Sequence, residues 1–155
     1  MSLEAIGYDL PLNSAPRPPT PGLPMLPQHE IQIRVRYQET DGQTRLHHAN
    51  YINYFEIGRV ELLRAAGHSY RSIEESGIFL VVAEVSCRYY LPADYDDLLT
   101  LRTTTVRAKG ARIEHHYELF RDHEKLAEGR TVVGCVDREG RVRRLPDWLK
   151  GEHPE

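Results

Sequence analysis

Long hydrophobic runs, cysteine and an excess of one charge are what this 155-residue chain is short of. No apolar stretch approaches the ~20 residues a membrane-spanning helix needs. No basic start followed by an apolar run marks a secretory leader, so the expected location is the cytoplasm. The two cysteines, Cys87 and Cys135, form neither a CxxC pair nor a Cys-rich frame. They read as reduced, small apolar residues, with a disulfide the minority reading. The 20 basic and 23 acidic residues nearly cancel, giving a net charge of -3. That balance removes any global attraction to nucleic acid or anionic membrane and leaves an anionic ligand to a local basic cluster. Walker and Rossmann glycine patterns, a GxSxG elbow and an HExxH pair are all absent, so nucleotide-driven, serine-hydrolase and zinc-hydrolase chemistry lack support.

What is present falls into three stretches. Residues 1–28 hold seven of the ten prolines and read as an extended N-terminal tail. Residues 29–150 read as one domain, and 151–155 as a short C-terminal tail. A domain of this size buries roughly 68–70% of its unfolded surface. Over Glu30–Gln38, Ile31, Ile33, Val35 and Tyr37 alternate with polar residues, which predicts a half-buried strand. From Asn50, a good N-cap residue, the period turns helical, and Tyr51, Tyr54, Phe55, Gly58, Leu62 and Ala65 form a wide apolar stripe. Gly67 is the expected stop, and Gly58 implies a close neighbour, since glycine in a helix costs up to ~1 kcal/mol. Ser69–Ser76 reads as a shorter helix. Four strands follow: Ile78–Tyr90, Asp97–Arg107, Ala111–Arg121 and Lys125–Asp137. Their short connections require antiparallel pairing. The fold class is therefore α+β, a five-stranded antiparallel sheet wrapped around one long helix. Its free edges favour a homo-oligomer.

The chemistry gathers in Tyr37–Gly67, where a polar loop runs straight into the start of the long helix. Asp41 has two readings, a turn residue beside Gly42 or a nucleophile or general base, and a free aspartate titrates at ~3.9. His47 and His48 are adjacent, which is not metal-ligand spacing, so no metal is expected. The backbone N–H of His48 lies near a helix start, where unpaired donors and about half a unit of positive charge collect. An oxyanion donor there contributes about 2.7–4 kcal/mol to a transition state. Glu56 and Arg59 stand at i,i+3, and Glu56 is a secondary site candidate. His115 alternates with Ile113, Tyr117 and Leu119 and belongs to the core side, while His116 falls on the polar face. Lys109, Arg141 and Arg143, with Arg107, Arg112, Arg138 and Arg144, read either as phosphate contacts or as a solvated face.

Taken together, Arg36-Tyr37-Gln38-Glu39-Thr40-Asp41, His48-Ala49-Asn50-Tyr51 and Tyr54-Phe55-Glu56-x-x-Arg59-x-Glu61 resemble the signature of hotdog-fold acyl-CoA thioesterases of the hydroxybenzoyl-CoA thioesterase-like group. The likeness continues through Tyr90-Leu91-Pro92-Ala93 and Asp96-Asp97-Leu98-Leu99 to Arg144-Leu145-Pro146, over about residues 30–149. Between Asp41 and His47 the family often has a small glycine-containing apolar stretch, where this chain has Gly42-Gln43-Thr44-Arg45-Leu46. The resemblance implies a hotdog fold whose active sites lie between protomers of a dimer or tetramer. It implies hydrolysis of acyl- or aroyl-coenzyme A, with Asp41 acting on the thioester and the His48 N–H polarising its carbonyl. Tyr51 and Glu56 fall to the substrate, and Lys109, Arg141 and Arg143 to the coenzyme A phosphates. No cofactor is implied, because hydrolysis transfers no electrons. An acyl carrier protein is the alternative carrier, and a non-catalytic acyl-CoA-binding module the alternative of a different class.

Overall fold

The computed structural model describes residues 27–150, so the tails expected at 1–28 and 151–155 lie, all but Pro27 and Gln28, outside the described residues. Five strands form one antiparallel sheet: β1 (Gln28–Arg34), β2 (Phe79–Tyr89), β3 (Leu98–Lys109), β4 (Arg112–Arg121) and β5 (Glu124–Val136), in the order β1-β3-β4-β5-β2. Helix α1 (His48–Ala65) packs on one face, and a short α2 (Tyr70–Glu75) follows it. Gly67 and Gly77, at φ +87° and +88°, take the left-handed conformation that ends each helix. Gly110, at φ +63°, makes the β3–β4 turn. No helix among the described residues is long and apolar enough to cross a membrane.

Alternation decides which face meets the helix. Leu99, Leu101, Ile113, Tyr117 and Leu119 point inward and are buried. On the outer face Arg102 pairs with Glu30 at 2.7 Å and Glu118 at 3.5 Å, and Lys125 pairs with Glu118 at 2.9 Å and Glu128 at 3.1 Å. Register shifts at Val82/Glu84 in β2 and Thr105/Arg107 in β3 are bulges that bend the sheet around the helix. The neighbour implied by Gly58 is Leu101 with Thr103: a Cβ at position 58 would lie 2.8 Å from a Leu101 methyl group.

The core has two parts. Tyr51, Tyr54 and Phe55 pack with Val35, Leu99, Leu101, Leu119 and Leu126 around the first half of α1. Leu62, Leu63 and Ala66 pack with Ile113, Val133, Cys135, Leu145 and Leu149 around its second half. Between them lie buried polar groups on the inner face: Thr103, Thr105, His115 and Thr131. Thr103 Oγ1 and Thr105 Oγ1 have no hydrogen-bond partner among the described residues. Burial, then the nearby Arg59 charge, push the His115 pKa down to about 3, so the ring is neutral.

Two sequence expectations shift. The first strand runs Gln28–Arg34 rather than to Gln38, because the Glu39 carboxylate accepts the Arg36 N–H at 2.8 Å and curls Tyr37–Glu39 into a 3-10 turn. The helix begins at His48, with His47 as N-cap instead of Asn50. The Asn50 side chain has another task, donating to the Glu39 carbonyl at 2.9 Å and tying the helix to the loop before it.

Candidate active site

The loop before α1 is a small hairpin. Its rungs are Asp41 with Arg45 (2.8 Å from Asp41 N–H to the Arg45 carbonyl), Thr40 with Leu46, and Glu39 with His47 (2.9 Å). The turn closes through Thr44 at φ +65°. Outside it, the Leu46 N–H donates to the Ala93 carbonyl at 2.8 Å, which clips the hairpin to the β2–β3 connection. Asp41 therefore sits two rungs from the helix start.

Within that hairpin Asp41 has the geometry of a turn residue at one of its two oxygens. Its Oδ1 accepts the Gln43 N–H at 2.8 Å and the Arg45 N–H at 3.3 Å, the geometry of a turn residue. Its Oδ2 has no hydrogen-bond partner among the described residues. One oxygen is fixed by the backbone and the other is left without a protein partner among the described residues. The helix start offers a complementary group. His47 binds the N–H groups of Ala49 and Asn50, at 3.1 and 2.9 Å, while the His48 N–H has no partner among the described residues.

Aromatic side chains wall this end. Tyr51 is buried and meets the Tyr89 ring edge-on at a centroid distance of 4.9 Å. The Tyr89 hydroxyl donates to the His48 carbonyl at 2.9 Å. Burial, then Cys87, push the Tyr89 hydroxyl up to about 12, and burial raises Tyr51 against a hydrogen bond to the Ala93 backbone. Tyr89 is not singled out in the sequence, and Glu39 enters there only as part of the Arg36–Asp41 motif. Glu39 is a buried carboxylate whose Oε1 accepts the Tyr54 hydroxyl at 3.0 Å as well as the Arg36 N–H. Glu39 stands three residues after Arg36, whose N–H it accepts, but without the serine or threonine that would mark a capping box in the sequence.

The other candidates lie elsewhere. Glu56 faces away from the sheet, 68% exposed, with Arg59 at 3.9 Å. Lys109, Arg141 and Arg143 sit at the far end of the sheet, by the β3–β4 turn and the segment after β5. The twelve residues of β3 separate the two ends by about 36 Å. Arg141 and Arg143 both donate through Nε to Asp137 Oδ2, at 3.0 Å each. Burial raises the Asp137 pKa, but the Arg141 N–H and the two guanidinium groups outweigh it and bring the carboxyl down to about 2. The chain thus carries Asp41, His48 and Tyr51 at one end of the sheet and the three basic candidates at the other.

Between the two ends runs β2, an edge strand with one side unpaired. Val81, Val82, Val85 and Tyr89 on it are 41–47% exposed, a row of apolar side chains that a closed monomer would cover.

Residues 35–152 match the thioesterase-like superfamily. The acyl-CoA thioesterase YbgC of Haemophilus influenzae is 34% identical over 106 residues, covering 68% of this chain and 78% of that protein. A probable thioesterase from Bartonella henselae superposes with a TM-score of 0.73 at 32% identity, over 77% of this chain and 99% of that one. A DHNA-CoA thioesterase from Staphylococcus aureus gives 0.75 at 27% identity, over 78% and 85%. The sheet wrapped on its helix is the arrangement these structures share, and the chain belongs to the thioesterase-like superfamily, as a hotdog-fold thioester hydrolase.

Proposed function

We propose that this chain hydrolyses acyl- or aroyl-coenzyme A to the free acid and coenzyme A. The observation that carries the reading is Asp41, with one oxygen pinned by two backbone N–H groups and the other open, two rungs from an unpaired helix N–H. Relatives that act on acyl-CoA and DHNA-CoA support the choice of carrier. Asp41 Oδ2 either attacks the thioester carbon, giving an anhydride that water opens, or takes a proton from the water that attacks it. In both routes the C–S bond breaks and the coenzyme A thiolate leaves with a proton. The His48 N–H and the positive end of α1 stabilise the oxyanion. Tyr51 walls the acyl group, while the exposed Glu56 has no part in this route. No cofactor enters this route, because no electrons are transferred.

The coenzyme A phosphates require a second copy. Two chains paired antiparallel along β2 cover its apolar row. Each then brings its Phe79 end, with Arg138, Arg141 and Arg143 close by, toward the Tyr89 and His48 end of the other. The site is then built from Asp41 of one protomer and the basic end of its partner, and whether dimers pair further does not alter that geometry.

The test is thiol release across short, long and aromatic acyl-CoAs, with the same acyl groups on an acyl carrier protein as the alternative carrier. Asp41→Asn keeps the Oδ1 acceptor of the turn but has no ionised oxygen, so kcat is expected to fall ~10²-fold or more while folding is unchanged. Turnover within threefold of wild type would make Asp41 a turn residue and revive the non-catalytic binding module.

A further inference from the structure

The cap of α1 is a histidine, where serine, threonine, aspartate or asparagine is the usual choice. His47 takes an extended backbone (φ -62°, ψ 136°), and its Nδ1 accepts the Ala49 N–H at 3.1 Å. An imidazole nitrogen accepts only when it carries no proton, so this cap needs the tautomer with its proton on Nε2. The carbonyl of the same residue takes the Asn50 N–H at 2.9 Å. Of the first three N–H groups of the helix, His47 claims the second and third and leaves the first, that of His48, to a ligand. The two histidine rings stack at 4.2 Å, 25° from parallel.

We propose that His47 is the positioning residue of this site and works only as a neutral imidazole, so that its protonation shuts the thioesterase down. A proton on Nδ1 replaces the acceptor that Ala49 needs with a competing donor. It also adds positive charge to a helix end that already carries about half a unit, and against a second imidazole. Of the titratable groups around it, the open Oδ2 of Asp41, two rungs away along the hairpin, is unengaged among the described residues, and its negative charge favours the imidazolium that the cap excludes. The Glu39 carboxylate is bound to Arg36 and Tyr54, Asp41 Oδ1 to its turn, and Tyr89 donates to the His48 carbonyl. Tyr51 packs against Tyr89, Cys87 lies beside it, and Arg45 adds only a further cation to the loop. Histidine is the side chain that changes charge between about pH 5 and 8, which makes an aspartate-based hydrolase sensitive to pH well above the range of carboxylates.

This rests on the reading of His48 N–H as the oxyanion donor, and the test separates the two. Rates are measured on the acyl-CoA with the highest kcat/KM, from about pH 5.5 to about 8.5, for wild type, His47→Asn and His48→Gln, with folding followed by circular dichroism. Wild type is expected to lose about tenfold in kcat toward the acid end, and His47→Asn, whose cap does not titrate, to stay within about twofold. His48→Gln should keep the wild-type fall. His47→Ser serves if His47→Asn does not fold. An acid fall that survives in His47→Asn, or its absence in wild type, overturns the proposal. So does finding the ring proton on Nδ1 of His47, read by imidazole 15N shifts of the whole chain near pH 8. That tautomer measurement stands even if Asp41→Asn proves active and the catalytic reading fails.

Discussion

The hydroxyl of Tyr89, on the edge strand β2, donates to the carbonyl of His48, the first residue of α1, at 2.9 Å. The bond joins the strand proposed to meet a partner to the residue proposed to hold the oxyanion. Removing it leaves the aromatic contact with Tyr51 in place. Tyr89→Phe is therefore expected to change stability little, since the side chain is half exposed, and to lower kcat by about 2–10-fold. That is the effect of losing one hydrogen bond of ~0.5–1.5 kcal/mol at the site. Equal kcat in the two proteins would separate the edge strand from catalysis.

Because one chain carries Asp41 and the basic segment at opposite ends, defects in the two should complement between subunits. Asp41→Asn homodimers are expected to be inactive and Arg143→Ala homodimers to bind coenzyme A esters with raised KM. In a mixed dimer one site regains both wild-type groups. Purified from differently tagged chains, it should show wild-type KM at about half the wild-type kcat. A mixed dimer that keeps the raised KM would place both groups of a site in the same chain, and a fully active monomer by light scattering would remove the interface itself.

Stability should fall with acid for a reason far from the site. His115 is neutral in the folded protein, with a pKa brought down to about 3 by burial and then by the Arg59 charge. In the unfolded chain histidine titrates at ~6.5. Between those values the unfolded state binds the extra proton, so stability declines as pH drops below ~6.5 and goes on declining to about 3. Urea midpoints measured from neutral pH downward should show a shallower decline in His115→Gln than in wild type. Parallel slopes would show that another group governs the acid response.

Gly58→Ala sets two known effects against each other. Alanine gains up to ~1 kcal/mol in helix propensity. Its methyl group would press on Leu101, which is fully buried and has no room to turn away, and on Thr103. Overpacking of this kind costs ~1–3 kcal/mol, so the variant is expected to be net destabilised, with a lower denaturant midpoint. A higher midpoint would mean that helix and sheet can part at no cost.

Much of the architecture was legible because the punctuation is strong. Lys109-Gly110 and Asp122-His123-Glu124 turn the chain where β3–β4 and β4–β5 meet, and the apolar period changes from two to 3.6 near Asn50. Where reading failed, a side chain had replaced a backbone partner. The alternation of Ile31, Ile33, Val35 and Tyr37 continues past Arg34, but Glu39 bends back on Arg36 and stops the strand. Asn50 has the composition of a cap, yet its amide is spent on the Glu39 carbonyl while His47 does the capping. The site was legible as a cluster of residue types around Asp41 and His48. That Asp41 and Arg143 fall at opposite ends of the sheet was not, since linear order places no limit on how far apart they lie.

The polar row of Thr103, Thr105, His115 and Thr131 gives the two halves of the core different fates under stress. Hydrophobic contact is interrupted there, so the two clusters meet across polar side chains, with Gly58 seated closely on Leu101 and Thr103 between them. Amide exchange should then report two cooperative units rather than one. The unit around Leu62, Leu63 and Leu145 is expected to open while Tyr51, Tyr54 and Phe55 stay locked beneath the Asp41 hairpin. A protein built this way can loosen its far end without disturbing the geometry of the carboxylate proposed to do the chemistry.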